Sequence, residues 1–288
     1  MTKLLLIRGP RLCGALGLLL LTQFSVLAQQ DPTPVSTEAP PLDDITERNI
    51  VFERQPLAYQ PIREADILWE KRIWRVIDTR EKINLPFRAP ESPLFQILKE
   101  AALAGDIPVY STENERFTKR LSTEEVLNLS FKIDTILTIN VETQEEEIQV
   151  VRNDIDWEQV KRFRIKESWF FDSKTSTLRV RILGIAPMID VLDENGDFKF
   201  EQPLFWVYYP AARELLAQHK VITPAGNLAV TTTWEDWFEM RHFSSFITKE
   251  NNVQDLRLQD SYAGVDLLLK AEQIENTLFN LEHDMWTW

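Results

Sequence analysis

The hydrophobic pattern divides the chain into stretches of different period. The first is a predominantly apolar run from Leu12 to Leu27, behind the basic residues Lys3, Arg8 and Arg11. It ends in the small-residue exit Val26-Leu27-Ala28 before Gln29. That order is the pattern of a secretory signal peptide, with cleavage expected between Ala28 and Gln29. Residues 29–61 lack any apolar period. Gln29–Leu42 is rich in Pro, Thr and Ser, and Ile50, Val51, Phe52, Leu57 and Tyr59 are scattered ahead of Pro61. This composition predicts an extended or disordered arm that lies along a surface, its own or a partner's. Phe52, Leu57 and Tyr59 are its candidate contact residues.

Helical spacing follows. Trp69, Ile73, Val76, Ile77 and Arg80 predict an amphipathic helix over Asp66–Lys82, stopped by Pro86. Leu94, Phe95, Leu98, Ala101 and Ala102 predict a second over Ser92–Ala104, with Ser92 as cap, Pro93 in the first turn and Gly105 closing it. A short strand is expected at Ile107–Tyr110. Ser122 to Glu125 reads as a capping box before Val126, Leu127 and Leu129.

From Thr135 the period shortens to two. Strands are predicted at Thr135–Glu142, Glu147–Arg152, Arg164–Phe171, Leu178–Leu192 and Leu204–Tyr209, with a short helix at Trp157–Arg162. Asn195-Gly196 predicts a tight hairpin leading into Phe198–Phe200. Ala211–His219 reads as a helix, Thr233 caps another from Trp234, and Phe243–Thr248 reads as a strand. Val265, Leu268, Leu269, Ile274, Leu278 and Leu281 predict a long C-terminal helix over Tyr262–His283. The fold class is therefore α+β: antiparallel strands in the middle of the chain, flanked by helices. The globular region is residues 62–288, with a division into two lobes near 150 left open.

Composition narrows the function. Cys13 is the single cysteine and lies in the signal, so the exported chain works without a disulfide, a thiol nucleophile or a thiolate ligand. Lipidation at Cys13 is disfavoured, because Arg11-Leu12 precede it and the apolar run follows it. No later stretch has the about 18 consecutive apolar residues of a membrane span. The formal net charge is −13, and three of the basic residues leave with the signal, so the exported chain is more acidic still. That balance argues against nucleic acid and anionic membrane surfaces.

Chemistry-bearing patterns are sparse. His219, His242 and His283 stand alone, without the spacing of paired metal ligands. Asp190–Asp197 resembles a calcium loop only superficially. With Gly196 at the invariant glycine, Val191 and Gln202 fall where carboxylates belong. Glu145-Glu146-Glu147 reads as a solvated turn. No G-x-S-x-G, P-loop or G-x-G-x-x-G occurs. Neither catalysis, a cofactor nor a metal is expected. Trp234 and Trp237, three apart on one helix, read as core rather than as an exposed platform. Trp286 and Trp288 read as docking residues, since two tryptophans at a chain end must cover an apolar surface.

Six ordered segments together resemble a known family. They are Trp74–Asn84 (WRVIDTREKIN), Lys166–Asp172 (KESWFFD), Arg179–Pro187 (RVRILGIAP), Phe205–Pro210 (FWVYYP), Arg241–Ser245 (RHFSS) and Glu282–Trp286 (EHDMW). Behind a signal peptide, this order is similar to the GldN/PorN family of gliding motility and type IX secretion proteins, from about Asp66 to the C-terminus. The resemblance implies a non-enzymatic periplasmic ring subunit, associated with the outer membrane through its partners. Those partners would be a GldK/PorK-like outer-membrane lipoprotein, the periplasmic part of a GldM/PorM-like motor subunit, and other copies of itself. The alternative is an exported glycan- or peptidoglycan-binding module using exposed Trp. An exported hydrolase comes third.

Overall fold

A computed structural model describes residues 51, 53–139, 146–193, 196–223, 229 and 231–286, with backbone alone for 132–139, 146–152, 282, 285 and 286. The elements run β1 (Ile67–Asp78), α1 (Leu94–Ala104), β2 (Val109–Tyr110), α2 (Thr123–Leu129), β3 (Phe131–Ile139) and β4 (Glu146–Asp154). There follow β5 (Val160–Asp172), β6 (Thr177–Leu192), β7 (Phe198–Pro203), β8 (Trp206–Tyr208), α3 (Tyr209–Gln218), α4 (Trp234–Glu239), β9 (Phe246–Glu250), α5 (Leu258–Ser261) and α6 (Gly264–Trp286). Arg48–Trp288 cluster as one compact unit.

Seven strands form an antiparallel sheet in the order β2-β8-β6-β5-β1-β9, with β7 sharing the edge of β6 that β8 also uses. The sheet draws strands from both sides of residue 150. β3 and β4 form a separate two-stranded ribbon. At its root, Lys99 of α1 reaches Asp154 at 2.5 Å and the Ile155 carbonyl at 3.1 Å. The α+β class and the long C-terminal helix are as the sequence indicates.

The first predicted element is the main correction. Asp66–Lys82 is not a helix: β1 fills most of it, followed by a 3-10 stretch over Lys82–Arg88. The spacing of Trp69, Ile73, Val76 and Ile77 suits either period. Six of the twelve β1 residues are β-branched or aromatic, which suits a pleated, buried strand better. Burial alternates in the first half of β1 and covers both faces from Ile73 to Ile77, as for a strand deep in a sheet.

Smaller corrections have local causes. Ser92 does not cap α1. Pro93 takes that position and the Ser92 hydroxyl donates to the Lys220 carbonyl at 3.2 Å. The helix expected at Trp157–Arg162 is a single turn, because Val160 already pairs in the sheet. The strand expected at Leu204–Tyr209 is three residues long, because Tyr209 and Pro210 start α3. Gly105 at φ 82° closes α1, and Ser122 and Thr233 each sit in a complete capping box. Asn195 lies outside the described residues.

Register sorts the sheet side chains onto two faces. Ile73, Arg75 and Ile77 share one with Glu167, Ile165 and Phe163. Its main core joins Phe163 and Ile165 to Phe95 and Leu98 of α1, Leu216 of α3, and Trp234 and Phe238 of α4. Phe87 sits 5.0–5.8 Å from the rings of Phe163, Trp234 and Phe238. A second cluster on that face joins Ile73 and Ile247 to Leu258, Ile274 and Leu278 of the C-terminal helices. Burying one such side chain stabilises the fold by about 1.5–3 kcal/mol.

The other face bears Trp74, Ala186 and Trp206, covered by Tyr110 and Phe117. Gly184 makes that covering possible. A Cβ there would lie 2.6 Å from Phe117 Cζ and 2.8 Å from Cε1. Phe117 itself is left-handed, at φ 57°.

Candidate functional site

The described end of the arm, residues 53–61, is strapped to its own chain. Arg54 pairs with Asp236 at 2.6 Å and donates to the Thr231 carbonyl at 3.1 Å. The Tyr59 ring lies 3.9 Å from the Arg213 guanidinium and 4.7 Å from that of Arg181. Its hydroxyl donates to Glu239 at 2.5 Å. Burial first, then the hydrogen bond to Glu239, pushes the Tyr59 hydroxyl well above the ordinary tyrosine range. Behind it, buried Arg213 pairs with Glu235 at 2.6 Å. Arg181 and Arg179 donate to the Gln60 carbonyl and side chain at 2.7 and 3.3 Å. The alternation of β6 and the i,i+4 spacing on α4 (Glu235, Glu239) present these charges in one row. Tyr59 therefore spends its contacts within the chain. Leu57 does not: it is 87% exposed.

At the other end of the chain, α6 docks through one stripe and exposes another. Ile274 and Leu278 are buried, with Leu267 and Ala271 packed beside them. Val265, Leu268 and Leu269, grouped with Ile274 and Leu278 by their spacing in the sequence, are exposed, as is Phe279. Buried charge fixes the docking. Glu167 is wholly shielded, 3.3 Å from Arg75 and 2.8 Å from Arg241, and accepts from Trp169 Nε1 at 2.9 Å. Arg75 reaches on to Glu275 of α6 at 3.1 Å. None of these four charged residues stands out in the sequence. The faint signal is a charge at a core-facing strand position, as in Ile73-Trp74-Arg75-Val76-Ile77.

Of the remaining contact candidates, Phe52 and Trp288 lie outside the described residues, as do Ala28 and Gln29 at the cleavage site. Trp286 is the last residue of α6, described by its backbone alone. Trp234 and Trp237 are core residues, as their spacing suggests. His242 is exposed against Trp237, and His283 is exposed beside Asp284. Burial lowers the pKa of His219. Among the described residues no group of three or more His, Cys, Asp or Glu is placed to hold a metal ion. No helix among them is long and apolar enough to cross a membrane.

Further large apolar side chains are partly exposed to water. Leu192, Phe198 and Phe200 are exposed at the end of the β6–β7 hairpin. The chain belongs to the GldN family: the model described as "Gliding motility associated protein GldN" matches residues 62–287. The match covers the whole sheet and all the helices. No curated protein matches the chain.

Proposed function

We propose that this gliding-motility protein is a periplasmic structural subunit of the type IX secretion and gliding machinery. In this reading it forms a ring with a GldK/PorK-like outer-membrane lipoprotein and with further copies of itself, and couples the ring to a GldM/PorM-like motor subunit. It reaches the outer membrane only through those partners. Membership of the GldN family over residues 62–287 carries the reading. Export by the signal at 1–28 agrees with it. The exposed apolar residues of α6 and of the β6–β7 hairpin supply surfaces suited to subunit contact. The role is mechanical rather than catalytic.

Co-expression with the lipoprotein and electron microscopy of the purified complex tests this proposal. Closed rings containing both chains are expected. A monodisperse monomer beside an unbound lipoprotein would overturn it. The glycan-binding alternative needs exposed tryptophan faces. Each of the seven tryptophans whose side chains are described is instead buried or half-buried, which favours the structural reading.

A further inference from the structure

On the sheet face opposite the helices, the loop after β2 and the turn after β9 wall a cleft of about 890 Å³. Its floor is a ladder across three strands. Trp74 of β1 is paired with Lys249 of β9 on one side and Lys166 of β5 on the other. The Lys249 ammonium lies 4.5 Å from the indole centroid and that of Lys166 5.7 Å, with Phe117 4.8 Å from Lys166. Both lysines are about 95% buried.

The carboxylates of the cleft are already engaged. Glu115 is 3.0 Å from Lys249 and 3.7 Å from Arg164. Asp255 is 2.8 Å from Lys249, and Glu113 is 3.2 Å from Lys119. Glu70 accepts from the Ser168 hydroxyl at 2.7 Å and lies 3.8 Å from Arg72, whereas Asp260 accepts, among the described residues, only the Arg257 backbone N–H at 2.8 Å. Among the described residues, three cations of the lining have no carboxylate within 4.0 Å: Lys166, Arg116 and Arg257. Lys166 has only the Glu115 carbonyl to donate to. The charges left without an ionic partner are thus these three cations against the one carboxylate of Asp260, an excess of positive charge in a chain whose net charge is −13.

Burial, then the positive field of Arg72, Lys249 and Arg116 against the opposing Glu115, lowers the Lys166 pKa to about 8. The spacing of the charges selects the ligand. Polyphosphates and nucleic acids need dense, uninterrupted positive charge, and here carboxylates alternate with the cations. Isolated carboxylates on an extended peptide avoid that repulsion. The Thr112 hydroxyl and the Asn251 side-chain N–H groups are left to bond its backbone.

We propose that this cleft binds an acidic peptide segment, its carboxylates held by Arg116, Arg257 and Lys166. The site stands apart from the ring reading and does not depend on it. Calorimetric titration tests it, using the protein lacking residues 1–28 and a capped peptide of alternating Glu and Ser. Saturable one-to-one binding, weakened by salt, is expected. Arg116→Gln/Arg257→Gln should weaken it about tenfold or more. Both side chains lie at the cleft rim, and circular dichroism checks that the variant folds. A control without mutation replaces each Glu of the peptide by Lys, which should abolish binding. Three outcomes would overturn the proposal. These are no heat with the Glu peptide, equal binding of the Lys peptide, and binding of inorganic pyrophosphate where the peptide fails.

Discussion

Glu167 of β5 and Arg75 of β1 form an ion pair of 3.3 Å that is shut off from water, and the same arginine reaches out to Glu275 on α6. The pair thereby joins the middle of the sheet to the C-terminal helix. Desolvating two charges is costly, and their attraction offsets that cost only while both are present. Glu167→Gln leaves Arg75 and Arg241 short of an anion inside the protein. It should destabilise the fold by about 3–5 kcal/mol, read as a lowered urea midpoint. The double variant Glu167→Leu/Arg75→Leu should recover much of the loss. A single variant with wild-type stability would contradict this account of α6 docking.

Gly184 is required by close approach, not by its backbone angles. Phe117 lies directly on it, hemmed in by Tyr110, Trp206 and Tyr208 at 5.6–5.9 Å between ring centroids. Gly184→Ala should cost about 1–3 kcal/mol by overpacking. It should also loosen the loop after β2, so amide exchange at residues 111–118 should speed up more than exchange in α1. Uniform exchange across both segments would refute the argument.

The strap is held by one aromatic ring between two guanidiniums. Tyr59→Ala removes both ring contacts and the hydrogen bond to Glu239. The loss should be about 2 kcal/mol, confined to the strap. Trypsin should then cut at Arg54 and Arg63 before any other site. Unchanged digestion would mean that Arg54 and Gln60 suffice to hold it.

Lys166 gives a pH signature. Its folded pKa of about 8 lies below the 10.5 of a free lysine. Below pH 8 the group is charged in both states. Between 8 and 10.5 the unfolded chain binds more protons, so this group makes stability rise with pH across that window. Burial sets most of the shift, and Arg72, Lys249 and Arg116 add to it against Glu115. Denaturation of the wild type and of Lys166→Met should be compared from pH 7.5 to 10.5. The wild type should gain on the variant as pH rises, and parallel curves would remove the premise of a buried, underneutralised ammonium.

Much of the fold is legible because its signals are local. Gly105 ends a helix by its left-handed backbone, Ser122 and Thr233 cap by their own side chains, and the period-two run at Leu178–Leu192 is a strand wherever it packs. β1 is misread because Trp69, Ile73, Val76 and Ile77 fit two periods, and only the strands on either side decide between them. The C-terminal helix is legible in existence but not in facing, since Leu268 and Leu269 look as buried in sequence as Ile274. Glu167 with Arg241, and Trp74 between Lys166 and Lys249, are invisible for a different reason. Strand register sets Trp74 between the two lysines, and the turn after α4 brings Arg241 to Glu167 from 74 residues away.

The proposed role, a subunit of a motility and secretion assembly, can be tested in the cell envelope itself. The direct measurement is recovery of the protein, tagged internally, from detergent-solubilised envelopes, with quantitative mass spectrometry of what accompanies it. The account predicts an outer-membrane lipoprotein and a periplasmic motor subunit at a fixed ratio to the tagged chain. Recovery of the tagged chain alone, or with cell-wall glycan fragments in place of those proteins, would contradict it.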